Sequence, residues 1–108
     1  MNLRELEGNF LFCEDDRSFR TVDSIGAANG VMFKCPVCFI ENGGPQGTHH
    51  VICWSPEVPQ TVRPKPGRWQ LIGTSIDDLS LVAGSSSVAL QGGCAAHFFV
   101  ENGQIRMA

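Results

Sequence analysis

The chain has 108 residues, 8 Lys+Arg against 11 Asp+Glu and a formal net charge of -3, which suits one domain spanning residues 1–108. It carries no basic run, so nucleic acid is not its default partner. No apolar stretch is long enough to span a bilayer, and residues 1–8 lack the apolar segment of a signal peptide.

Strand signals dominate from the N-terminus onward. Residues 9–13 form a short apolar run, 14–17 a polar turn, and 18–22 an alternating return strand. Asp23 and Ser24 can cap a short helix over 25–28, with Gly30 ending it. Residues 31–34 lead as a strand into Cys35, and 42–47 form a Gly-rich loop. Residues 48–54, β-branched and aromatic, make the strongest central strand. The stretch 55–67 holds Pro56, Pro59, Pro64 and Pro66, so it is an extended surface excursion and not a regular element. Strands resume over 68–73, 79–82 and 87–90, the last two around a Gly-Ser-Ser-Ser loop. Asn102-Gly103 between 98–100 and 104–107 predicts a tight hairpin, because both residues tolerate positive φ. The fold class is therefore mostly β: a small single-domain antiparallel fold, zinc-ribbon-like, with at most one short helix.

Two half-sites stand out. Cys35-Pro36-Val37-Cys38 and Cys94-Ala95-Ala96-His97 each hold two soft ligands with two residues between them. Together they make a Cys3His set, the ligand chemistry of a closed tetrahedral structural zinc. Gly92 and Gly93 would let backbone amides approach the Cys94 sulfur. Five cysteines with no leader point to a reducing cytoplasm, where such clusters bind metal more often than they pair as disulfides. A competing set joins Cys35 and Cys38 to His50 or His49 and Cys53. On a strand, His49 and Cys53 share one face and His50 takes the other.

These residues also carry a resemblance. Val31-Met32-Phe33, Cys35-Pro36-x-Cys38-Phe39, Glu41-Asn42-Gly43-Gly44-Pro45-x-Gly47-Thr48-His49, Val51-Ile52-Cys53-Trp54, Lys65-Pro66-Gly67-Arg68-Trp69 and Gly92-Gly93-Cys94-x-x-His97-x-Phe99-Val100-x-Asn102-Gly103 are together similar to a group of small proteins of tailed phages and prophages. Some of that group bear the genome label ammonia monooxygenase, which no residue pattern here supports. The resemblance implies a zinc site at Cys35, Cys38, Cys94 and His97. It also implies a place in the cytoplasm of a bacterial host or on the virion. A bulky residue is expected in such proteins near Ala96, and its absence would thin the packing beside the metal.

Four protein ligands leave a zinc no open position, so the expected role is not enzymatic. The alternative is a small metal-dependent hydrolase using His49, His50 and Cys53. It needs an accessible thiol, and Cys53 between Ile52 and Trp54 looks buried. Asp77-Asp78 suits a turn or cap. The better expectation is a zinc-stabilised module that binds a protein partner, phage structural or host. Trp54 and Trp69 serve either as its aromatic patch or as core. Arg63, Lys65 and Arg68 form a small basic rim beside them.

Overall fold

The computed structural model describes residues 1–84, 86–90 and 94–108. Among them nine strands build three antiparallel sheets. The first has the order β2-β1-β3-β4, from β1 (Asn9–Asp15), β2 (Ser18–Val22), β3 (Gly30–Lys34) and β4 (His50–Trp54). The second pairs β5 (Gln70–Ile72) with β6 (Ser80–Val82). The third runs β7-β8-β9, from β7 (Ser87–Ala89), β8 (His97–Glu101) and β9 (Gln104–Met107).

The period-2 alternation of the first sheet separates two cores. Phe10, Val31, Phe33, Val51 and Cys53 face the main core, where Phe33 meets Phe98 of β8 edge to face at 5.9 Å. Leu11, Met32, Ile52 and Trp54 face a smaller cluster on the other side. The first eight residues contribute to the main core although they form no strand. Leu3 and Leu6 are fully buried, each stabilising the fold by about 1.5–3 kcal/mol. Lys34 N–H donates to the Leu6 carbonyl and holds this segment against β3.

The one α-helix among the described residues, α1 (Pro36–Asn42), carries the Cys35-Pro36-Val37-Cys38 half-site. Cys35 is its N-cap, Pro36 supplies the fixed φ of the first helical position, and Gly43 at φ 69 ends it. The expected helix at 25–28 is only a 3-10 turn, Ile25–Ala27. Gly30 does not end that turn but begins β3. A Cβ there would come within 2.6 Å of the Trp54 ring, so glycine is what lets the indole lie on the backbone. Ser75 and Asp78 close a capping box around the turn Ile76–Asp78, so Asp78 acts as a cap while the Asp77 carboxylate pairs with Arg4. The Asn102-Gly103 hairpin forms as expected, with φ 50 and φ 74, and joins Glu101 to Gln104. Ser85 of the Gly-Ser-Ser-Ser loop lies outside the described residues.

The Pro-rich excursion is organised from within. All five N–H groups of the Arg68 guanidinium have a backbone carbonyl of this loop within 2.6–3.0 Å, on Val58, Pro59, Val62, Pro64 and Gly67. Trp54 Nε1 donates to the Arg63 carbonyl, and Val58 and Val62 pack on its ring. Arg68 is therefore not a rim cation. Trp54 is core, at 1% exposed, and Trp69 is half-buried.

Candidate metal centre

Three elements converge at one corner of the main core. The β3–α1 junction brings Cys35 and, one helical turn later, Cys38 to the same side. Amides of Val37 and Cys38 point at the Cys35 sulfur. The residue just before β4 is His49, and Cys35 N–H donates to its carbonyl at 2.9 Å. The approach to β8 brings Cys94, with Ala95 in the left-handed region at φ 50.

The four ligand atoms of Cys35, Cys38, His49 and Cys94 lie within 4.8 Å of one another, the one such group among the described residues. Cys35 Sγ is 3.5 Å from Cys94 Sγ, and His49 Nε2 is 3.4 Å from Cys94 Sγ. A tetrahedral zinc, with Zn–S about 2.3 Å and Zn–N about 2.0 Å, sets such neighbours about 3.5–3.8 Å apart. Donor chemistry and spacing both fit one ion. His49 Nδ1 is 3.3 Å from the His50 carbonyl. In the tautomer where Nδ1–H donates there, the Nε2 lone pair is turned to the cysteines, the usual orienting contact of a metal-bound imidazole.

Without metal, the thiols divide. Cys94 is lowered to about 7, first by its hydrogen bond with His49. Cys38 is pushed up to about 12, first by desolvation and then by hydrogen bonds from its sulfur to Cys94 and Cys35. Burial also raises Cys35. An ion that binds all three must displace their protons.

Of the residues singled out in the sequence, Cys35, Cys38 and Cys94 come together and His97 does not. β8 begins at His97, and inward-facing Phe98 and Val100 turn His97 and Phe99 to the opposite face. There the two rings stack at 6.3 Å, and His97 is exposed. His49 takes the fourth place because it shares the core-side parity of Val51 and Cys53, whereas His50 points away. Cys53 lies four residues along that face from His49, sealed in the core, where burial raises its thiol. It joins neither a metal set nor an accessible Cys-His pair. Ala96 is buried in the main core beside Cys94. Gly92 and Gly93, expected to support the Cys94 sulfur, lie outside the described residues. His49 stands in the competing set named from the sequence, where strand parity puts it on the face of Cys53; the β3–β4 register, which sets it opposite Cys35, brings it to this corner with Cys94 in place of Cys53.

A groove of about 650 Å³ opens beside the cluster, bordered by Cys38, His49 and Cys94 at one end and by Trp69 and Pro66 elsewhere. No helix among the described residues is long and apolar enough to cross a membrane. Compared with protein-family models, curated proteins and solved structures, the chain finds no match.

Proposed function

We propose that this chain is a zinc-stapled β domain of phage or prophage origin that acts by binding a protein, as a virion accessory or as a protein that engages a host complex. The observation that carries it is the convergence of Cys35, Cys38, His49 and Cys94 within 4.8 Å. Four soft ligands from three distant segments make the ion part of the fold and leave it no open coordination position for chemistry. The origin rests on the phage-like motifs, and the cytoplasmic setting on the unpaired thiols. The hydrolase alternative is disfavoured by Cys53, whose sulfur is enclosed in the core.

Purified under reduction, the protein should carry one zinc per chain by elemental mass spectrometry. Cys38→Ser and Cys94→Ser should lose the metal and destabilise the domain. Mass spectrometry of purified particles, and size-exclusion of the zinc-loaded protein with host lysate, separate the two binding roles. A metal-dependent hydrolysis abolished by His50→Ala, with zinc content and melting temperature intact, would replace this reading with the hydrolase.

A further inference from the structure

Among the described residues β4 and β7 are terminal strands of their sheets, and both line the groove beside the metal cluster. Their outward backbone groups follow from the ladders. Cys35 N–H donates to the His49 carbonyl and Ser55 N–H to the Asn29 carbonyl. In an antiparallel pair the bonded residues alternate. The β3 ladder thus uses Val51 and Cys53 and leaves the amides and carbonyls of His50, Ile52 and Trp54 directed outward. On the other side, Leu90 N–H donates to the Ala96 carbonyl. Val88 therefore faces β8, and Ser87 and Ala89 face the groove.

Trp69 spans both edges at one end. Its main-chain N–H donates to the Trp54 carbonyl at 3.0 Å, and its indole N–H donates to the Ser87 carbonyl at 3.2 Å. The chain itself thus takes up the outward carbonyls there. Between Trp69 and the metal corner, the amides of His50, Ile52 and Ala89 and the carbonyls of Ile52 and Ala89 continue the same two edges over about 10 Å, the rise of about three extended residues, while the His50 carbonyl meets His49 Nδ1. Pro64 and Pro66 add apolar surface to the lining. Among the described residues the lining contains Lys65, His49 and His50 but no aspartate or glutamate.

We propose that this groove takes an extended peptide segment of a partner protein, about three residues long and bearing an acidic side chain. The segment adds as a strand between β4 and β7, using their outward amides and carbonyls. The two edges run in opposite senses, β4 away from the metal corner and β7 towards it. An inserted strand is therefore antiparallel to one of them whichever way it lies. Lys65 supplies the charge that selects the acidic residue. This assignment rests on the reading of the protein as a binding module, and it places and specifies that binding.

The test selects a random octapeptide display library on the immobilised zinc-loaded protein and measures synthetic copies of the enriched peptides by fluorescence anisotropy. Enriched sequences should carry an acidic residue. N-methylation of one central peptide amide, which removes a strand donor without touching the protein, should weaken binding at least tenfold. Ala89→Pro, at an exposed position whose N–H faces the groove and not β8, should do the same at unchanged zinc content. Lys65→Glu should turn the preference towards basic peptides. Binding indifferent to N-methylation at every position and to Lys65→Glu would overturn the proposal, as would zinc-loaded protein that enriches no peptide over an unrelated β domain. Zinc measured on the same sample keeps the two readings apart, since its absence counts against the metal centre and not against the groove.

Discussion

The choice between His49 and His97 as fourth ligand gives the sharpest test of the metal centre. His49 is exposed, so His49→Ala removes an imidazole with little packing. In metal-free protein the variant should therefore lie within about 0.5 kcal/mol of the parent. Replacing a group that merely orients a ligand costs 10–100-fold in metal affinity, and loss of a ligand should reach at least the upper end, about a hundredfold. At saturating zinc that is a loss of about 2.7 kcal/mol of folding stability, since metal bound only to the folded state stabilises by RT ln(1 + [L]/Kd). For a domain near 100 residues this corresponds to a melting temperature lower by about 10 °C or more. His97→Ala gives up a stacked contact with Phe99, worth about 0.5–1 kcal/mol, and should keep its zinc. Competition with a chromophoric chelator, beside melting curves with and without zinc, measures both quantities. If His97→Ala loses the ion while His49→Ala holds it, the assignment of the fourth ligand is wrong.

Metal-stripped, reduced protein should alkylate first at Cys94. Its folded value of about 7 lies below the ordinary thiol value of 9.0, so the thiolate is populated as pH rises through 7 and lost as pH falls below it. Peptide mapping after brief iodoacetamide treatment should find Cys94 modified ahead of Cys35, Cys38 and Cys53. Zinc should protect it, and comparable labelling of Cys53 would contradict its burial. Arg68→Lys exchanges five donors for three and should cost on the order of 2–3 kcal/mol in a denaturant titration, because loop carbonyls lose charge-assisted bonds. A change under 0.5 kcal/mol would mean that the guanidinium does not organise the loop. Gly103→Val places a β-branched side chain at φ 74, with its Cβ against the Asp77 carbonyl and 3.0 Å from the Ile76 carbonyl. It should cost about 2 kcal/mol or more in thermal melts, and a neutral result would remove the case for this turn geometry.

The β character, the hairpin at Asn102-Gly103 and the three thiols of the Cys/His cluster were legible in the sequence. These depend on local chemistry: alternation along a strand, positive φ at an Asn-Gly pair, and the i, i+3 spacing of Cys35 and Cys38. The fourth member of the cluster, His49 in place of His97, comes from tertiary structure. A Cys-x-x-His spacing holds both groups on one ion only while the backbone keeps turning, and β8 starts at His97 because Phe98 and Val100 have a core to enter. His49 reaches the site only because β4 pairs with β3 in the register that sets it opposite Cys35. Arg68 likewise looks like a solvated cation in sequence, and becomes the hub of the Pro-rich loop once Trp54 draws residues 55–67 over its ring. Core burial of Leu3 and Leu6 was hidden for the same reason. Two leucines three residues apart are too short a pattern to register until β3 lies beneath them, so their contribution depends on a partner that local sequence does not contain.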